Sequence, residues 1–397
     1  MGSALNKRGA SLPQEAWLRA LNFSARNWSV HMPAALVWWL NVIIAHFRYF
    51  QFMHMSDHPF ASLESFQLAF TSGLSSLLQK GGLGPFILVC ANASFDKRVE
   101  ASTAEGLAAL YDALSTEYVD ALSSGKPIQA VEEDLLVFLK LHAVGFARLQ
   151  ATEIRQAGPW EVQFNQLRSF RPKRITTQVP QSLHSPFDEA GFHFNKPFMQ
   201  KEAFWAGKLS GRHATLYYNK YPFVDFHGLL VPERESCLPQ FLTEAHHFYL
   251  WQATLDLSRT LEGAGFGYNS LGAFASVNHL HFQMFVKPAG LPVMHAEWQH
   301  NGGSRPYPTH CAAFDAPAAA WVYLSDLHKS DTPYNLLYSK DRLYIFPRRK
   351  QGCYAQPDWT SGFAWHEMAG GMITFNRESY ASLDQISIAQ ELAKLAL

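Results

Sequence analysis

The chain has little cysteine: four in 397 residues, at positions 90, 237, 311 and 353, with no C-x-x-C pair. That spacing excludes a cysteine-rich zinc site and a disulfide framework, and it fits a reducing, cytoplasmic setting. Charge of one sign is equally scarce. Lys+Arg and Asp+Glu both number 33, for a formal net charge of zero. Nothing global therefore marks a nucleic-acid or anionic-membrane partner, and any anion site must be local. No apolar run reaches the roughly 20 residues of a spanning helix. The longest, MPAALVWWLNVIIAHF at 32–47, reads as a buried helix. Lys7 and Arg8 are not followed by an apolar run, so no signal peptide is read.

What the sequence does have is apolar mass. Hydrophobic residues make up 48% and aromatics 14%, which excludes global disorder and supplies a thick core or flat walls for a ring-shaped ligand. The length implies two domains, or one large core with an added module. Residues 1–155 read as a mainly helical region of unknown role, with helices at 14–24, 34–53, 103–123 and 128–148. The breaker GGLGP at 81–85 precedes FILVC at 86–90, which reads as one buried strand. His54 and His58 could share a helical face, but no carboxylate pattern supports a metal there.

From Trp160 the texture changes. Short segments rich in Phe, Tyr and Val at 162–170, 192–198, 214–218 and 228–232 read as antiparallel strands. A helix follows within 239–262, then strands at 267–271 and 280–286. The order strand, strand, helix, strand, strand predicts an α+β fold with a helix packed on a sheet. YNLLYSKDRLYIFP at 334–347 has the look of YYNKYPFVDFHGLLVP at 217–232. A strand at 371–375 and a final helix at 383–397 complete a degenerate second copy over 330–397.

The segment Asn278-His279-Leu280-His281-Phe282-Gln283 carries the chemistry. Taken as a strand, it puts His279, His281 and Gln283 on one face and Leu280, Phe282 and Met284 on the other. Two imidazoles and an amide in register offer no packing gain. A neutral imidazole is a good nucleophile at phosphorus when its other nitrogen is held by an acceptor. Using His279 and His281 as metal ligands would need further ligands, and no partnered cysteine or carboxylate lies nearby, so no metal is assigned.

GYNSLGAFASVNHLHFQ at 267–283 resembles the signature of the GDP-hexose phosphorylases, the GDP-L-galactose and GDP-D-glucose phosphorylases. These belong to the histidine-triad superfamily, in its branch with galactose-1-phosphate uridylyltransferase. FNQLR at 164–168, SPFD at 185–188, FHFNK at 192–196, HGLLVP at 227–232, CLPQ at 237–240 and WHEMAG at 365–370 resemble family segments in the same order. The resemblance covers about residues 160–397. It implies a histidine-triad-like antiparallel sheet with packed helices, and a nucleotidyltransferase domain over 156–397.

The resemblance makes His281 the covalent nucleophile, the carbonyl of His279 its orienting acceptor, and Ser276 and Gln283 binders of phosphate oxygens. Asn219, in Asn219-x-x-Pro222-x4-His227, stands where the superfamily contacts ribose hydroxyls. Phe194, Asn195 and Lys196 would lie near the base; Lys220, His227, Asn269, Asn278, Arg348 and Glu367 complete the expected nucleotide and substrate contacts. Gln283 cannot titrate, so it can donate to a phosphoryl oxygen but cannot serve water as a general base. The expected reaction cleaves a nucleoside diphosphate sugar, with GDP-hexose favoured, using inorganic phosphate and no cofactor. Another acceptor (a sugar 1-phosphate, a dinucleoside polyphosphate or water) and a non-catalytic nucleotide-binding scaffold are the alternatives. Either a monomer, if 330–397 supplies the second copy, or a homodimer is expected.

Two features depart from the family. Gly370-Gly371 stands where relatives have Gly-His, and Arg348-Arg349-Lys350 forms a basic cluster, read as a solvated turn or as a phosphate-attracting rim.

Overall fold

The computed structural model describes residues 58–172 and 182–397. The helices expected at 14–24 and 34–53, the apolar run at 32–47 and the His54–His58 pair lie outside the described residues or depend on ones that do. The chain divides into two compact units, Met1–His58 and Pro59–Leu397, and every element named here belongs to the second.

Four helices come first: α1 Leu63–Gln79, α2 Leu83–Phe95, α3 Lys97–Ser123 and α4 Glu132–Val144. Ser62 caps α1 by accepting from the Ser65 N–H, and Asp96 caps α3 by accepting from the Arg98 N–H. The expected strand at 86–90 is wrong: FILVC lies inside α2, where residues 86–93 are all buried. A continuous apolar run fits a buried strand or a buried helix equally, and here Pro85 sits in the first helical turn, where it is tolerated.

Then come β1 Glu153–Ala157, β2 Trp160–Phe164, α5 Gln166–Phe170, β3 Ala203–Leu209, β4 Arg212–Tyr218, β5 Gly228–Pro232, α6 Glu244–Ser258, β6 Ala264–Asn269 and β7 Phe282–Val286. After these follow β8 Ala312–Phe314, α7 Pro317–Lys329, β9 Tyr334–Ser339, β10 Arg342–Pro347, α8 Trp365–Met368, β11 Gly371–Thr374, α9 Arg377–Ser382 and α10 Gln385–Ala393. Eight strands form one antiparallel sheet in the order β3-β4-β5-β7-β6-β9-β10-β8. The α+β class and the strand–strand–helix–strand–strand order read from the sequence are both present.

Alternation along the strands splits the sheet between two cores. Phe282, Met284 and Val286 of β7 and Leu336 and Tyr338 of β9 join one cluster with helices α1 to α4, α6 and α7. Phe285, Leu337 and Phe346 join the other, with Trp160, Trp298 and Trp365.

Some expected strands are shorter or absent. Asn165 ends β2 by capping α5 through the Arg168 N–H, so 162–170 is half strand and half helix. Residues 192–198 form a turn running into a 3-10 helix, Pro197–Glu202, rather than a strand. β7 begins only at Phe282, so His279 and His281 precede the strand. The expected second copy joins the same sheet through β6 and β9. Its closing strand does not: β11 pairs in parallel with β2 in a separate three-stranded sheet.

Candidate active site

His281 sits just ahead of β7, and its backbone explains why. Its N–H donates to the Gln240 side chain (2.9 Å) rather than to a neighbouring strand, and the Leu280 N–H donates to the Leu238 carbonyl. Gln240 Nε2 donates in turn to the carbonyls of Asn269 and His281. The imidazole Nδ1 lies 2.8 Å from the His279 carbonyl oxygen, which can only accept, so Nδ1 carries the proton. Burial pushes the ring's pKa down to about 4, against the favourable bond to the His279 carbonyl. At neutral pH the ring is uncharged and Nε2 holds a lone pair. The side chain is 7% exposed, and the ring lies beside Phe194, with centroids 5.3 Å apart.

His279 does not share a strand face with His281, as alternation predicted. Its ring packs among Phe187, His193 and Phe194, and its Nδ1 accepts from the Phe194 N–H at 3.2 Å. Its contribution to His281 is its carbonyl. Phe194 stacks on Tyr217 beneath both imidazoles.

Gln283 points to the second core. Its Oε1 lies 2.9 Å from Trp365 Nε1 and 3.0 Å from His227 Nε2. An indole N–H can only donate, so the Gln283 atom facing it is the carbonyl oxygen. His227 is fully buried, and burial drives its pKa well below the ordinary value. The Phe223 N–H lies 3.4 Å from its Nδ1, a weak contact that favours a proton on Nε2, facing Gln283. Asn219 lies against the same ring: its Oδ1 accepts from the Tyr221 N–H, and its Nδ2, a donor 3.2 Å from Nε2, favours the opposite tautomer.

The remaining expected residues fall into two groups. Several build the frame. Asn278 bonds the carbonyls of Ser185 and Pro186 and accepts from the Gln240 N–H. Asn269 Oδ1 accepts from Asn335 Nδ2 and from the Trp365 N–H. Lys220 is held by both oxygens of Asp134 on α4, at 2.6 and 2.7 Å. Glu367 caps α8 through the Ala364 N–H, and burial raises its pKa to about 7. The other three lie on loops. Ser276 is exposed on the loop before His279. Asn195 donates to the Arg234 carbonyl, and Lys196 to the Glu189 carbonyl.

Arg348 corrects the reading of the basic cluster. It is fully buried, not a solvated turn or a rim. Its guanidinium bonds Asn335 Oδ1, the Phe363 carbonyl, the Tyr354 hydroxyl and the Arg349 carbonyl. Through Asn335, Asn269 and Trp365 it is linked to Gln283. Gly371 explains the second departure: a Cβ there would sit 2.2 Å from His366 Cε1, so no side chain fits. Gln240, Asn335 and Trp365 were not among the residues expected at the site. Gln240 and Trp365 did stand in the motifs CLPQ and WHEMAG, which was the available signal. Among the described residues, no group of three His, Cys, Asp or Glu is placed to hold a metal ion.

Residues 158–285 match the family described as "GDPGP1-like, N-terminal domain". GDP-D-glucose phosphorylase 1 of Danio rerio is 40% identical over 102 residues, 25% of this chain and 29% of that protein. GDP-L-galactose phosphorylase 2 of Arabidopsis thaliana is 28% identical over 213 residues, 45% of this chain and 47% of the relative. The Homo sapiens GDP-D-glucose phosphorylase 1 is 33% identical over 132 residues, 31% and 34% of the two chains. The chain thus spans less than half the length of each of these relatives. Superposition on the yeast Ap4A phosphorylase Apa2 covers 68% of this chain and 97% of that one, with 16% identity and a TM-score of 0.45. The resemblance to the GDP-hexose phosphorylases read from the motifs is borne out by these sequence matches.

Proposed function

We propose that this chain, with its GDPGP1-like N-terminal domain at 158–285, is a nucleotidyltransferase that cleaves a GDP-hexose with inorganic phosphate. The observation that carries the reading is the state of His281: Nδ1–H donates to the His279 carbonyl, and Nε2 is left unprotonated in a neutral ring. In the first step Nε2 attacks the phosphorus on the nucleoside side, and the bond to the bridging oxygen breaks. Hexose 1-phosphate leaves as an anion that needs no protonation. The Gln283 amide would donate to a non-bridging oxygen as charge shifts onto the leaving group. In the second step a phosphate oxygen attacks the same phosphorus, the N–P bond breaks, and GDP forms. Two in-line displacements retain configuration at phosphorus, and positioning with charge stabilisation supplies the catalysis. No metal or cofactor enters either step.

Nothing at position 283 can take a proton from water, which favours an acceptor that is already an anion. The test is incubation with a panel of nucleoside diphosphate sugars, with and without phosphate. Phosphate-dependent release of hexose 1-phosphate and GDP from a GDP-hexose is the expected result. Turnover that ignores phosphate, or a preference for a non-guanine sugar nucleotide, would overturn the acceptor or the base respectively.

A further inference from the structure

We propose that Trp365 is the positioning residue that decides which way the Gln283 amide faces; the inference rests on the phosphorylase reading above. The Trp365 indole N–H donates to Gln283 Oε1 at 2.9 Å, and His227 Nε2 lies 3.0 Å from the same oxygen. With the oxygen so held, the NH2 is directed away from both and can donate to a phosphoryl oxygen. Turned around, the amide would set its own donors against the indole N–H and present its carbonyl oxygen to an anionic phosphoryl.

The two neighbours are not equivalent. A neutral imidazole donates from one nitrogen and accepts at the other, and it can exchange the two roles. The Phe223 N–H, 3.4 Å from Nδ1, favours a proton on His227 Nε2, while Asn219 Nδ2, a donor 3.2 Å from Nε2, favours the opposite tautomer. His227 alone is therefore compatible with either amide orientation. An indole N–H has one role, so Trp365 is the group that removes the ambiguity.

Trp365 is itself held in place. Its backbone N–H donates to Asn269 Oδ1 at 2.8 Å, and its ring is fully buried and stacked on Phe285, with centroids 5.3 Å apart and planes at 14°. It also lies against Gly267, where a Cβ would come within 2.1 Å of the indole. The residue lies 82 positions beyond Gln283, on α8 and outside the matched 158–285 segment, so the C-terminal part of the chain completes the site.

The test is Trp365→Phe in the full chain, which keeps a stacking ring and removes the N–H. A lost neutral hydrogen bond corresponds to about a tenfold change. The expected result with the preferred GDP-hexose and inorganic phosphate is therefore a kcat about tenfold lower, with KM for the sugar nucleotide within about twofold. In a Gln283→Ala background the same change should have no further effect, because the amide it orients is gone. Should the Phe variant fold poorly, β-(3-benzothienyl)alanine at position 365 keeps the bicyclic shape and replaces N–H by sulfur; the same loss is expected. Wild-type kcat in either variant overturns the inference, as do losses from Trp365→Phe and Gln283→Ala that simply multiply. A wild-type chain that makes neither product overturns the phosphorylase reading and this inference with it. An active wild type with an unaffected variant overturns this inference alone.

Discussion

An amide at position 283 has no proton to give and no base to offer, so its chemistry lies in its orientation. Its oxygen accepts from Trp365 beside His227, and its nitrogen is left for the substrate. Replacing it with an imidazole supplies a group that can relay protons. Gln283→His should therefore raise hydrolysis relative to phosphorolysis, measured as the GMP to GDP ratio at fixed phosphate. An unchanged ratio would show that the acceptor is chosen elsewhere. At His281 the sequence pointed to the correct atom, because the acceptor for Nδ1 lies only two residues away. Gln240 and Trp365 were harder to read, because their partners lie 41 and 82 positions away. Arg348 was harder still. Its acceptors include the carbonyls of Arg349 and Phe363, and carbonyls have no signature in a sequence.

The joint between α8 and β11 is closely packed. Gly370 has φ +98°, and the Gly371 α-carbon faces the His366 ring. Gly371→Ala would place a methyl 2.2 Å from that ring, which must then shift against Phe223 and Trp365. Overpacking of this kind costs about 1–3 kcal/mol, read as a lower denaturant midpoint. Adding His366→Ala should restore most of the loss; if it does not, the clash is not the cause. The hairpin β9–β10 and the helix α6 were legible because periodicity and turn residues agreed there. Residues 86–90 misled because an unbroken apolar run has no period. Residues 278–281 misled in the opposite way: they alternate like a strand, but the Gln240 side chain takes the hydrogen bond a neighbouring strand would have taken.

At the scale of the whole molecule, burial depresses the pKa of a set of imidazoles among the described residues. His279, His281 and His328 are pushed down to about 4 and His366 to about 3, against an ordinary value of 6.5. The unfolded chain binds these protons more readily, so stability falls as pH drops from 6.5 toward these values, by up to about 1.4 kcal/mol per pH unit for each histidine. Glu367 acts with the opposite sign. Its pKa is raised to about 7, so its contribution is present in acid and lost as pH rises through 7. His227, His246, His247 and His300 are lowered too, and Glu202 and Asp225 are raised like Glu367; the lowered histidines outnumber the raised carboxyls, and the urea midpoint should fall steeply from pH 6.5 to 4. A flat midpoint over that range would contradict the burial assigned here. The same depression keeps His281 nucleophilic, so kcat should show no acid limb near 6.5. Among the described residues no helix is long and apolar enough to cross a membrane. On this mechanism His281 carries the nucleotide. Mixing the chain with GDP-hexose in the absence of phosphate and mapping the adduct by mass spectrometry is the direct test. One GMP is expected on the peptide containing His281, discharged as GDP when phosphate is added and absent from His281→Ala. An adduct on another residue, or a His281→Ala chain that still turns over, would contradict it.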